Sequence, residues 1–292
     1  MKKMDTTELI KRVRAIEIRT RGLSKQIFSG EYHSAFKGRG MAFSENREYQ
    51  HGDEIRAIDW NVTARMGHPY VKVFEEEREL TAMILVDVSG SGFFGTRKQL
   101  KEQLITELTA VIAFSAMQNN DKIGVILFSD RIEKFIPPQK GRTHILRIIR
   151  EILDIEPEGK GTDIRAAMDF LNRVIKKRSI CFMISDFIDE DFEQNLKVTG
   201  RKHDVIALQI TDPAEEELPS AGWVMMKDSE TGKEQWVNTS SKRRKKALKT
   251  SFLRRQEYLK NTFTRAGVDH VQLRTDRPYV KPLMNLFERR GA

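Results

Sequence analysis

From residue 80 onward, short apolar runs that end in turn residues alternate with segments of helical periodicity. The runs are Ala82 to Val86, Lys122 to Phe128, Ser179 to Ser185 and Asp204 to Ile210. Runs of this length read as buried strands. The segments between and after them carry apolar residues at helical spacing: Leu100 to Met117, Thr143 to Ile155, Ile164 to Lys176, Asp191 to Gly200 and Ser240 to Arg265. Alternation of this kind predicts a three-layer, Rossmann-like α/β domain with a mainly parallel central sheet. Two departures are expected. Asp130 and Arg131 turn the second strand into a hairpin with Ile132 to Ile136, stopped by Pro137 and Pro138. Trp223 to Met226 and Glu234 to Val237 form a peripheral hairpin near 222–238. A last strand, His270 to Leu273, and a last helix, Tyr279 to Arg289, close the chain.

The first of these strands ends in Asp87, followed by Ser89, Gly90, Ser91 and Gly92. One carboxylate and two hydroxyls thus lie on a strand-to-helix turn. Alone, the pentapeptide serves equally well as a Ser/Gly turn that caps the next helix. Two further features add weight. The third strand ends in Asp186, which is expected to face solvent, and Thr162 lies in a Gly-rich loop just before the helix that starts at Ile164. Ligands of open α/β sheets bind beyond the carboxyl ends of the strands. If the strands ending in Asp87 and Asp186 are neighbours, then Asp87, Ser89, Ser91, Thr162 and Asp186 converge. Two carboxylates and three hydroxyls are hard oxygen donors of the kind Mg2+ or Mn2+ prefers. They are too few to close a cage, which leaves a position for a carboxylate from outside.

Residues 1–79 read differently and form an N-terminal helix, loop and strand segment ahead of the 80–292 domain. Asp5 to Ile18 has helical spacing with a basic outer face. Ser29 to Arg47 is a Gly- and Ser-rich loop with a short strand near Met41 to Phe43, and its lone His33 has no partner at metal spacing. Between Arg47 and Glu77, acids and arginines alternate around Ile55, Ile58 and Trp60, a pattern that planar Arg–carboxylate pairs can tie down. Tyr70 to Phe74 reads as a strand. Cys181 is the only cysteine, so no internal disulfide forms, and its apolar surroundings make it a buried small residue. The start is charged and shows no signal peptide. No stretch is apolar enough to span a membrane, and a cytoplasmic location is expected.

Asp87-x-Ser89-x-Ser91, then Thr162 in Gly-Thr-Asp, then Asp186, resembles the metal-ion-dependent adhesion site (MIDAS) of von Willebrand factor A domains. The segment Arg47 to Arg65, with Gly52-Asp53 and Ile58-Asp59-Trp60, resembles the signature of the bacterial DUF58 family. The resemblance covers nearly the whole chain. It implies an A-type domain that carries the metal site and works beside a MoxR-type AAA+ ATPase. Many relatives carry N-terminal membrane spans, a feature not seen in this sequence.

The A-domain resemblance implies a non-enzymatic, divalent-cation-dependent binding module whose partner presents an Asp or Glu to the metal. A second reading is a metal-dependent phosphohydrolase. It is disfavoured because residue 89 is Ser where an Asp-x-Asp phosphatase supplies its general acid, and because no lysine or histidine is clearly placed as a partner. A third is nucleic-acid binding through the basic run Lys242, Arg243, Arg244, Lys245 and Lys246, which fits the net charge of +9. It ranks last because aromatic interleaving and a reader motif are missing.

Overall fold

The computed structural model describes residues 6–28, 41–76, 80–90, 101–189, 191–227 and 234–291. The chain divides into two compact units, one of residues 1–35 with 81–292 and one of residues 36–80.

The smaller unit is built on two antiparallel strands, β1 (Met41–Glu48) and β2 (Tyr70–Glu76). The short helix α2 (Trp60–Met66) lies between them, and α1 is the earlier helix Thr6–Phe28 of the larger unit. Asp59 caps α2 by accepting from the backbone N–H groups of Asn61 and Val62. The expected Arg–carboxylate tie is present: Arg47 donates from both terminal nitrogens to Asp53, at 2.8 and 2.7 Å. This pairing holds the Asp53 carboxyl below the usual carboxylate range. His33 lies outside the described residues.

The larger unit contains a six-stranded sheet. Its strands are β3 (Thr81–Asp87), β4 (Lys122–Phe128), β5 (Ile132–Gln139), β6 (Ile180–Ser185), β7 (Asp204–Thr211) and, last in the chain, β10 (Asp269–Arg274). Their order is β10-β7-β6-β3-β4-β5. Every neighbouring pair is parallel except β4 with β5. The chain winds from β3 outward to β4 and β5, then crosses back to β6 on the other side of β3. The gap between the carboxyl ends of β3 and β6 is therefore the topological switch point.

Both faces of the sheet are covered, so Ala82 to Val86 are fully buried. Met83 and Leu85 face a core shared with helices α5 (Ile164–Val174), α6 (Glu193–Lys202) and α8 (Lys242–Ala266), among them Met168, Leu196 and Phe263. Helices α1, α3 (Lys101–Gln118), α4 (Arg142–Asp154) and α9 (Val280–Gly291) pack on one another. Phe287 of α9 meets Phe182 of β6 at 6.4 Å between ring centres. Cys181 is buried on β6, as expected.

One expectation about the strands differs from the fold. Pro137 and Pro138 do not stop β5, which runs on to Gln139. β5 is the outer strand of the sheet, where a missing N–H on the open side leaves no ladder bond unmade. A one-turn helix, α7 (Pro213–Glu216), follows β7. The peripheral hairpin is β8 (Trp223–Lys227) with β9 (Glu234–Asn238).

Candidate metal centre

Asp87 is the last residue of β3, and beside it Ser185 is the last residue of β6, with Asp186 directly after it. The pairing explains how two carboxylates 99 positions apart meet. The Asp87 carboxylate is held on both oxygens: Oδ1 accepts from the Ser89 N–H at 3.0 Å, and Oδ2 accepts from the Ser185 hydroxyl at 2.6 Å. The Ser89 hydroxyl also bonds to it. Burial, with Asp186 adding its negative charge, pushes the Asp87 carboxyl up to about 6. A cavity of about 30 Å³, room for one water, lies against Asp87, Val88 and Ser89.

Asp186 is not solvent-facing as expected; only 5% of it is exposed. Its Oδ1 accepts from the Ile188 N–H at 3.1 Å, and its Oδ2 accepts from Lys101 Nζ at 2.8 Å. Lys101, at the start of α3, also reaches Glu215 at 2.5 Å, and its side chain is 3% exposed. Burial works against the ammonium, but Asp186 and Glu215 outweigh it, so its pKa lies above the usual value. Glu215 is positioned by α7, where Asp212 and Glu215 form a reciprocal capping box. The sequence reading found no lysine placed at this site, and Lys101 is the residue it missed.

The turn after Asp186 is strained. Phe187 has φ of 56°, in the left-handed region that a bulky side chain seldom adopts. Its ring is 1% exposed and lies edge-on to Phe263 at 5.1 Å. Its N–H donates to the Ser185 hydroxyl. The buried ring and this bond hold a conformation that alone costs about 1–3 kcal/mol.

Thr162 arrives on a loop fastened to the end of β4. Glu133 accepts from the Gly159 N–H at 2.8 Å, Asp130 from the Lys160 N–H at 3.3 Å, and the Ser129 carbonyl from the Asp163 N–H at 2.8 Å. Gly159 is required by close approach, since a Cβ there would lie 2.1 Å from both Asp130 Oδ1 and Ser129 Oγ. Asp189, three residues beyond Asp186, accepts from the Ile164 N–H at 2.8 Å and so ties α5 to the β6 loop. Asp163, rather than Thr162, caps α5. The Thr162 hydroxyl is buried and makes no hydrogen bond among the described residues.

The ends of β3, β4 and β6 thus bring Asp87, Ser89, Asp186 and the Thr162 loop to one edge of the sheet. Ser91 lies outside the described residues. Among the described residues no three carboxylate, imidazole or thiol groups gather at one point. The set is two carboxylates with hydroxyls. Two observations bear on a divalent cation: of the buried pair Asp87 and Asp186 only Asp186 has an ammonium, Lys101, on it, and the Thr162 hydroxyl on the neighbouring loop is orphaned among the described residues.

A six-stranded, mostly parallel sheet between helix layers defines the larger unit as an α/β domain. The chain belongs to a family described as "Protein of unknown function DUF58", whose model matches residues 45–258. The uncharacterized protein Rv1480 of Mycobacterium tuberculosis is 31% identical over 232 residues, which are 78% of this chain and 73% of that protein. The uncharacterized protein YeaD of Bacillus subtilis is 24% identical over 180 residues, 62% of this chain and 42% of YeaD. The crystal structure of an aerotolerance-related membrane protein from Bacteroides fragilis aligns with a TM-score of 0.51 at 15% identity, over 72% of this chain and 99% of that one. The von Willebrand factor A domain of SpRpn10 aligns with a TM-score of 0.41 at 10% identity, over 72% and 95%. No helix among the described residues is long and apolar enough to cross a membrane.

Proposed function

We propose that this protein is a non-enzymatic binding module that recruits a carboxylate of a partner protein through a divalent cation, Mg2+ or Mn2+. Asp87, Ser89, Ser91, Thr162 and Asp186 would hold the cation. The observation that carries the reading is the pair Asp87 and Asp186, buried on adjacent strand ends. Burial and mutual repulsion leave Asp87 with a raised pKa, and a divalent cation relieves both. When bound, the cation supplies an electrophilic centre with an open position. The chain's own residues orient it: Ser185 and the Ser89 N–H aim Asp87, and Lys101 with the Ile188 N–H aims Asp186. By resemblance, the partner is a MoxR-type AAA+ ATPase that presents an Asp or Glu.

The test is affinity for that ATPase in chelator and in Mg2+, for wild type and Asp87→Ala. Binding should require the cation and should be lost in the variant. Equal affinity in chelator and in metal, or a full-strength Asp87→Ala complex, overturns the reading.

Lys101 favours the phosphohydrolase reading more than the sequence did, since a buried ammonium beside a strand-end carboxylate could hold a phosphate. Against it, Lys101 is already bonded to two carboxylates, and Ser89 supplies no general acid. Release of phosphate from generic phosphate esters in Mg2+, abolished in Asp87→Ala, would establish that reading instead.

A further inference from the structure

The β8–β9 hairpin has two unlike faces. Register pairs Met225 with Trp236 and Trp223 with Asn238, so Trp223, Met225 and Trp236 share one face. They are 65%, 52% and 59% exposed. On the other face Val224, Met226 and Val237 are half-buried. Three large apolar side chains therefore point to solvent from a two-stranded ribbon.

Helix α8 starts four residues after β9 and is tied to the base of the hairpin. Gly222 donates its N–H to the Ser240 hydroxyl, and Lys245 Nζ donates to the Ser220 hydroxyl. From Lys242 to Arg255 the helix carries eight cations and no acid. Lys242, Lys246, Lys249 and Leu253 recur at helical spacing on an exposed stripe. Cations in the first turns oppose the helix dipole, so this run works against the stability of its own helix. Lys242, Arg243, Arg244 and Lys246 are exposed and form no ion pair among the described residues.

We infer that the hairpin and the start of α8 together dock on an anionic lipid surface. Trp223, Met225 and Trp236 would enter the headgroup boundary, and the Lys/Arg stripe would lie against the lipid phosphates. The indole ring is suited to that boundary, being apolar with one polar edge. A basic block beside it adds attraction to acidic lipid. The arrangement favours lipid over single-stranded nucleic acid. In a nucleic-acid groove, stacking aromatics alternate with cations along the strand path. Here the aromatics sit on the ribbon and the cations on the helix, and the one aromatic residue between Lys242 and Arg255, Phe252, is buried.

The test is sedimentation of the full chain with phosphatidylcholine vesicles and with vesicles that also contain phosphatidylglycerol, in EDTA so that the metal centre plays no part. Tryptophan emission is followed in parallel. Binding is expected only to the phosphatidylglycerol vesicles, with a blue shift and loss of quenching by iodide. Each cation contributes roughly five-fold to partitioning, so Arg243→Gln/Lys246→Gln/Lys249→Gln should lose about a hundred-fold. Trp223→Ser/Trp236→Ser should lose the blue shift and most of the binding. The wild-type emission shift needs no variant and stands even if one misfolds. Failure to bind at low salt, or binding with no shift in emission, overturns the inference. A shift with oligothymidylate at lower concentration than with vesicles overturns it in favour of nucleic acid.

Discussion

Lys101→Met isolates the least expected feature of the site. Lys101 is buried between Asp186 and Glu215, at 2.8 and 2.5 Å. Methionine preserves the length and apolar stem of the side chain but removes the charge. Removing one partner of a buried ion pair costs about 3–5 kcal/mol, because the other charge is left uncompensated. For a chain of this size 1 kcal/mol corresponds to about 2–4 °C, so the metal-free variant should melt roughly 6–20 °C below wild type. Mg2+ should act in the opposite direction. Lys101 already neutralises the carboxylate that the cation needs, and a divalent cation about 4 Å from a unit positive charge is repelled by about 8 kcal/mol at an effective dielectric near 20. Screening reduces that figure, and ten-fold tighter Mg2+ binding is the least that should remain, about 1.4 kcal/mol. The assay is thermal unfolding in EDTA and in Mg2+, with calorimetric titration of the cation. If Lys101→Met binds Mg2+ no tighter than wild type, Lys101 holds Asp186 in place rather than competing for it, and the charge argument fails.

Other outcomes follow from the same geometry. Thr162→Val removes a buried hydroxyl that has no partner among the described residues, so metal-free stability should hold or rise while Mg2+ affinity falls several-fold by calorimetry. Gly159→Ala places a methyl 2.1 Å from Asp130 Oδ1 and Ser129 Oγ; a chemical denaturation midpoint should report a loss of about 1–3 kcal/mol, with weakened Mg2+ binding because the Thr162 loop shifts. Asp186→Ala leaves the Lys101 ammonium with Glu215 alone, so it should lower the melting temperature as well as Mg2+ affinity. His203 and His270 are held neutral by burial, each with its pKa lowered to about 4. The unfolded chain takes up those protons near pH 6.5, so their contribution is whole above that pH and is lost as pH falls towards 4. Urea unfolding across this window should show a smaller loss for His203→Asn than for wild type, by up to about 3 kcal/mol at 1.4 kcal/mol per unit.

The inner strands β3, β4, β6 and β7 were legible because they are buried on both faces and are therefore mostly apolar. Lys122 to Phe128 matches β4 residue for residue, and Asp87 and Asp186 end neighbouring strands as the motif required. The turns between were less legible. The one-turn helix at Pro213 carries its own signal, since Asp212-Pro213 with Glu215 three positions after Asp212 is a capping-box pattern. Reading it would have placed Glu215, though not its partner. Lys101 resembles any lysine near a helix start; only folding brings it to an aspartate 85 residues away. Pro137 and Pro138 were misread because a proline's effect depends on whether its strand is at an edge, which local sequence does not encode.

Lys101 also sets the charge that a partner would meet. With Asp87, Asp186 and Glu215 ionised and Lys101 protonated, the site carries two net negative charges. A divalent cation brings it to zero, with Lys101 and Glu215 balancing each other and the cation balancing the aspartates. An incoming carboxylate then approaches a neutral cluster with an open coordination position. Without Lys101 the occupied cluster would keep one negative charge and repel that carboxylate. Lys101→Met should therefore move the two affinities in opposite directions, tightening Mg2+ and weakening the partner at saturating Mg2+. A purely structural role for Lys101 would weaken both, so titration of the cation followed by titration of the partner separates the two cases. If both affinities fall together, the ammonium is scaffolding, and the charge balance at the switch point does not govern recognition.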